Sequence, residues 1–289
     1  MIKIVFCDID GCMGDFVKPE YPLKQDLYEN REQLEEIQKK AYQISLVEPE
    51  ILFGVCTGRS FYQADHIMKK TGCQGPSIFE MGNVIFDPKE GVYNLFEKYD
   101  RFKANIELLN AFIQWKNKMK GSEEQLKRKF PNSGLRQMKD RTCMLTYEFE
   151  EKIGEELYQH ILEIIPSQFK EAIDMSLLRV SLSKNAIDIL PNITKGDAVT
   201  YLINLYGISK EEVLAIGDSS HSDLDLLKSA GLVACPDNAD LELKKYVFEH
   251  NGFVVPNSSN KGLINILDLV ENLIKFTNLK NESKLVRQI

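Results

Sequence analysis

No apolar run in the 289-residue chain approaches the roughly 18 residues of a membrane-spanning helix, so no membrane partner is expected. The apolar run at the N-terminus is too short for a signal peptide, and the expected location is the cytoplasm. Cysteine is scattered: Cys7, Cys12, Cys56, Cys73, Cys143 and Cys235 include no C-x-x-C pair, which argues against a zinc framework and a disulfide scaffold alike. Positive charge is the minority, with Lys+Arg 36 against Asp+Glu 43 and a net charge of -7, a balance that argues against a nucleic-acid partner. Internal repeats and low-complexity segments are also absent. What remains is an ordinary globular composition, 43% hydrophobic and 27% charged, on a chain long enough for one large domain or two smaller ones.

The stretch around which the chain is organised is its first eleven residues. Ile2, Ile4, Val5 and Phe6 form a nearly continuous apolar run, the pattern of a strand buried on both faces of a parallel sheet. The run ends at Asp8-Ile9-Asp10-Gly11. Residues two apart in a strand point the same way, so both carboxyls leave the strand toward one point at its carboxyl end, where open α/β sheets bind ligands. Taken alone, the pair has two readings. It punctuates a turn, as Asp-Gly does, or it holds a hard dication that relieves the repulsion of two like charges.

Further along, a helix is expected over residues 26–42, a second buried strand over 50–56 ending in Thr57-Gly58-Arg59-Ser60, a helix over 61–70 and a short strand over 77–79. Strands alternating with helices imply a parallel sheet. Beyond Gly82 the texture changes. Short strands are expected at 84–86, 92–96 and 143–149, an amphipathic helix at 102–119 carrying Trp115, a helix at 153–165, and a β pair at 176–183 and 186–190. The α/β rhythm returns with helix 197–206, strand 213–216, helix 222–229, strand 232–234 and helix 261–276.

Four polar clusters stand after a buried strand or at a helix start: Asp8-Ile9-Asp10-Gly11, Thr57-Gly58-Arg59, Thr194-Lys195-Gly196-Asp197, and Gly217-Asp218-Ser219-Ser220-His221-Ser222-Asp223. In this order they resemble the four motifs of the haloacid-dehalogenase superfamily of phosphohydrolases. The segment from Phe79 to Asp87 and the return through Lys195-Gly196 resemble the Cof-type and sucrose-phosphatase-like branches, as do Asn238-Ala239 and Asn260-Lys261-Gly262. Cys12 stands where a threonine commonly follows the first motif, and Met81 where an asparagine is usual.

The resemblance implies an α/β fold, with a Rossmann-like, doubly wound parallel-sheet core over residues 1–84 and 188–289 and an inserted α+β cap over 85–187 that sets specificity. It implies that Asp8 is the nucleophile and Asp10 the general acid and base. Thr57, backbone N–H groups at Gly58, Lys195 and Asn238 would bind the phosphoryl group. Mg²⁺ would be held by Asp8, the Asp10 carbonyl and Asp218, with Asp223 completing the metal site. Thr57 also fits a helix cap, Asp218 a turn, and Arg59 and His221 solvated positions. The implied activity is Mg²⁺-dependent hydrolysis of a small phosphorylated metabolite, a sugar phosphate first, with phosphoglycolate-type hydrolysis and a phosphosugar mutase as alternatives. A receiver-like phosphoacceptor module is the non-enzyme alternative; it needs neither an inserted unit nor a second aspartate two residues on.

Overall fold

The computed structural model describes residues 1–14, 31–183 and 185–286. In chain order, the first part forms β1 (Ile4–Cys7), α1 (Arg31–Val47), β2 (Leu52–Val55), α2 (Phe61–Thr71), β3 (Ser77–Phe79), β4 (Val84–Asp87) and β5 (Gly91–Asn94). The middle forms α3 (Asp100–Lys103), α4 (Ile106–Lys118), α5 (Glu123–Lys129), β6 (Arg136–Met138), β7 (Leu145–Glu148), α6 (Gly154–Ile164), α7 (Ser167–Asp174), β8 (Leu178–Leu182) and β9 (Ala186–Pro191). The last part forms α8 (Lys195–Tyr206), β10 (Val213–Ile216), α9 (Ser220–Lys228), β11 (Leu232–Cys235), α10 (Leu241–Glu249), β12 (Phe253–Val254) and α11 (Ser259–Val286). The elements divide into two compact units, one of residues 1–93 with 194–289 and one of residues 94–193.

The first unit carries a five-stranded sheet in the order β12-β11-β10-β1-β2, parallel at every pairing. Ile4, Val5, Phe6 and Cys7 are all buried, which explains an apolar run without alternation. Cys7 is level with Ile216 of β10 on one side and Val55 of β2 on the other. The segments that leave these three strands therefore emerge side by side at one edge. Helices α1, α2 and α11 pack together, and α8 packs on α9, as in a doubly wound fold.

Several elements differ from the sequence expectation. Residues 26–30 and most of the irregular stretch before them lie outside the described residues. The described helix α1 runs past Tyr42 to Val47 because Leu34, Ile37, Ala41 and Ile44 continue one buried face at helical spacing. Strand β3 joins a second sheet, β3-β4-β5, pairing antiparallel with β4, and meets the parallel sheet through a bridge between Cys56 and Ile78 and through the Val55 N–H, which donates to Ser77 Oγ at 3.0 Å. Helix α11 extends past Phe276 to Val286. Among the described residues, no helix is long and apolar enough to cross a membrane.

The second unit is α+β: an antiparallel sheet ordered β6-β7-β9-β8 with helices from α3 to α7. The expected helix over 102–119 is broken at Asn105, whose φ of -122° and ψ of 21° leave the helical region, giving α3 and α4. Phe112 and Trp115 of α4 meet Phe169 of α7 at ring-centroid distances of 5.7 and 5.3 Å, the aromatic centre of this unit's core. The sequence left α5, α7 and β6 unassigned. They are short and carry charged or polar residues at most positions, and α7 follows Pro166, which ends the preceding helix.

Candidate functional site

Backbone pairing at the carboxyl edge of the parallel sheet brings the polar clusters together. The Asp8 N–H donates to Ile216 O at 3.0 Å, the Cys56 N–H to Cys7 O at 2.9 Å and the Thr57 N–H to Ile78 O at 2.9 Å. Asp8 is 6% exposed. Its Oδ1 accepts from the Ile9 N–H at 2.7 Å, and its Oδ2 lies 3.3 Å from Lys195 Nζ.

Lys195 opens α8, where a cation meets the positive end of the helix dipole. The capping box below it uses Thr194 and Asp197 and leaves Lys195 out. The lysine is buried and held by carboxylates: Nζ donates to Asp223 Oδ1 at 2.6 Å and faces Asp8. Asp223 is fully buried, and its Oδ2 accepts from the N–H groups of Asp218 and Ser219 at 3.0 and 3.1 Å. It thus ties the lysine to the loop that carries Asp218. Asp8, Asp218 and Asp223 each bring one carboxylate oxygen within 4.8 Å of the others.

Two glycines permit this approach. Gly11 has φ +72°, and a Cβ there would lie 2.0 Å from Asp218 Oδ2. At Gly217 a Cβ would lie 2.5 Å from Asp223 Cβ.

Burial pushes the Asp8 carboxyl up to about 8; Lys195 pulls against this, while Asp223, Asp10 and Asp218 add to it. For Lys195 burial acts downward, but Asp223 and Asp8 hold it well above its ordinary value. A site that gathers three buried or half-buried carboxylates, two of them on one lysine, is short of positive charge. Its donors are hard oxygens, the set that suits Mg²⁺.

Thr57 is buried, with Oγ1 accepting from the Arg59 N–H at 3.2 Å. It does not cap α2; Ser60 does, its Oγ accepting from the Gln63 N–H at 3.2 Å. Gly58 sits in the same turn, closed by the Met81 N–H donating to Thr57 O at 3.3 Å. Met81 has φ +58°, a left-handed conformation that asparagine tolerates better than methionine, which explains the residue usual there. Asn238 donates to Gly11 O at 2.9 Å and Asp218 Oδ2 at 3.3 Å, and accepts from the Ser259 N–H at 2.7 Å. Its amide therefore braces the Gly11 and Asp218 loops. His221 is exposed, on the first turn of α9.

Asp10 lies apart from the acidic triad, its side chain 44% exposed. Arg59, which sequence reasoning left among the solvated arginines, is 1% exposed, and its guanidinium grips both Asp10 oxygens: Nε to Oδ2 at 2.9 Å and Nη2 to Oδ1 at 2.5 Å. Its position in the turn directly after β2, at the same sheet edge as Asp8, was the available signal.

A family model described as haloacid dehalogenase-like hydrolase matches residues 5–267. The phosphoglycolate phosphatase of Sulfolobus acidocaldarius is 24% identical over 271 residues, 93% of this chain and 97% of that protein. A 5-amino-6-(5-phospho-D-ribitylamino)uracil phosphatase of Bacillus subtilis is 37% identical over 93 residues, 32% of this chain and 31% of that protein. Among solved structures, the sucrose-phosphatase of Synechocystis sp. PCC6803, in complex with sucrose and phosphate, matches 93% of this chain and 98% of its own, with a TM-score of 0.58 at 16% identity.

Proposed function

The chain is a phosphatase belonging to the haloacid dehalogenase-like hydrolase family, and from that premise we propose that it hydrolyses a small phosphomonoester in two steps through Asp8. The observation that carries this reading is the buried Lys195 held between Asp8 and Asp223, with Asp218 brought to the same point.

In the first step an Asp8 oxygen attacks phosphorus and the bond to the leaving oxygen breaks, giving an aspartyl-phosphate. Asp10 gives its proton to the leaving alcohol. In the second, Asp10 takes a proton from water, the hydroxide attacks phosphorus, and inorganic phosphate leaves with the Asp8 carboxylate restored. Lys195 and the Thr57–Gly58 turn bind the phosphoryl oxygens as charge shifts. Asp8 and Asp218, with the Asp10 carbonyl, would hold Mg²⁺, which supplies charge neutralisation on the phosphoryl group. Asp223, with both oxygens already engaged, fits the role of orienting Asp218 and Lys195.

The second unit, inserted in the chain between the two halves of the core, would act as the cap that selects the leaving group. The resemblance of the motifs to the Cof-type and sucrose-phosphatase-like branches favours a polyol or sugar leaving group. The similarity to phosphoglycolate phosphatase favours a second reading, a short phosphorylated acid.

Phosphate release over a panel of sugar phosphates, phosphoglycolate and an aryl phosphate tests the proposal. Release that stops on EDTA treatment and returns with Mg²⁺ is expected, with the highest kcat/KM on a sugar or polyol phosphate. Preference for phosphoglycolate selects the second reading, and no release from any compound refutes both.

A pH dependence follows from Asp8. Its folded-state value, about 8, lies above the ordinary 3.8, so in EDTA-treated protein the stability this group lends is full below the ordinary value and is lost as pH rises through about 8. Mg²⁺ competes with that proton, so its affinity is expected to rise by up to about tenfold per pH unit below 8 and then level off. The thermal shift given by a fixed Mg²⁺ concentration is therefore larger at pH 8.5 than at pH 6. Equal shifts would show that Asp8 holds no proton for the metal to displace.

A further inference from the structure

We propose that Arg59 is a positioning residue that sets the place from which Asp10 exchanges protons with the substrate; the inference rests on the reading of Asp10 as acid and base given above. Asp10 stands two residues beyond Asp8 and lies outside the compact lysine-centred cluster. Its own strand has ended, and the turn of Gly11 to Gly14 follows. A half-exposed carboxyl on such a segment has several rotamers open to it, and a proton donor must stand within hydrogen-bond reach of the reacting oxygen. The side-on guanidinium fork removes that freedom, because two parallel N–H···O bonds fix the plane of the carboxyl as well as its distance.

The arginine is itself held from behind. Its N–H donates to Thr57 Oγ1 at 3.2 Å, and its carbonyl accepts from the Glu80 N–H at 2.9 Å. Glu80 and Met81 are consecutive non-glycine residues at φ +49° and +58°, a costly conformation, and both bond back to the Thr57–Arg59 turn. The strained turn after β3 thus fixes the turn after β2, and that turn fixes Asp10. One loop then places both the phosphoryl-binding Thr57 and the proton-exchanging Asp10, so the distance between those two functions is set by the geometry of residues 57–59. Lysine cannot reproduce this, since its ammonium is a single point of attachment.

The test uses leaving groups that differ in their need for a proton. An alkyl phosphate requires one at the departing alcohol; p-nitrophenyl phosphate does not. The readout is the ratio of the two kcat/KM values in one enzyme sample, which cancels any loss of folded protein and reports the first transfer. Asp10→Asn is expected to lower the alkyl value by roughly 10²–10⁴-fold and the aryl value far less. Arg59→Met is expected to skew the ratio the same way by about tenfold or more, Arg59→Lys to recover only part of it, and Arg59→Met combined with Asp10→Asn to be no worse than Asp10→Asn alone. A skew in Asp10→Asn with none in Arg59→Met, a multiplicative double variant, or faster alkyl turnover in Arg59→Met overturns the positioning role and leaves the reading of Asp10 standing. No skew in Asp10→Asn overturns that reading, and the positioning role with it.

Discussion

Asp8→Asn is expected to abolish turnover, by roughly 10⁴-fold or more, in a protein that folds as the wild type does. The two halves of this expectation have separate causes. Turnover goes because the proposed chemistry requires an oxygen on Asp8 that bonds to phosphorus and later departs, and an amide is a poor nucleophile and a poor leaving group. Folding is expected to persist because burial pushes this carboxyl up to about 8, which favours its neutral form in the metal-free protein. Asparagine replaces that neutral form with one of the same shape. Lys195 keeps its 2.6 Å partner, Asp223, so thermal midpoints without metal are expected to agree to within about 1 kcal/mol of stability. The stabilisation given by Mg²⁺ shrinks, because one of its carboxylates is gone. Near-wild-type hydrolysis by this variant would sink the covalent route; loss of fold without metal would mean that Asp8 is charged there and held by Lys195.

The parts of this site that were legible in the sequence are those fixed by the backbone of the parallel sheet. Asp8, Thr57 and Asp218 could be placed because each follows a strand whose burial on both faces leaves an unmistakable apolar run, and parallel register then brings the strand ends level. Lys195 could be placed because Thr194-Lys195-Gly196-Asp197 resembles the third motif of the superfamily, a reading that its position at the positive end of a helix supports. The elements that escaped notice have no such run. Helix α10 begins with Leu241 and carries Phe248, both exposed, so its apolar residues do not mark a single inward face, and β12 is only two residues long.

Arg59 and Asn238 show a different limit. Both are polar residues whose partners lie on loops brought together only by the completed sheet: Arg59 meets Asp10 across 49 positions, and Asn238 meets Gly11 across 227. No periodicity reports such a pairing. A buried arginine reads in sequence as any other arginine. The strain at Glu80 and Met81 is equally silent, since nothing in those residue types announces a left-handed backbone.

Lys195→Met is expected to have the largest effect on stability of any single change in the site, about 3–5 kcal/mol of destabilisation, along with loss of turnover by roughly 10²–10³-fold or more. The methionine fills much of the same space, so packing is not the cause. The cause is Asp223, fully buried, whose Oδ1 loses its only cation within 4 Å among the described residues while its Oδ2 keeps two backbone N–H donors. Removing one partner of a buried pair strands a charge, whereas removing both costs much less. The double variant Lys195→Met/Asp223→Asn is therefore expected to regain a large part of the lost stability in urea unfolding. Its turnover stays low, because the cation that meets the phosphoryl group is still missing. That split between recovered stability and unrecovered rate separates the two duties of one lysine. If the single variant lost less than about 1 kcal/mol, a surface-like value, the ion pair would not be what joins α8 to the Asp218 loop. If the double variant recovered its rate along with its fold, Lys195 would serve the structure alone.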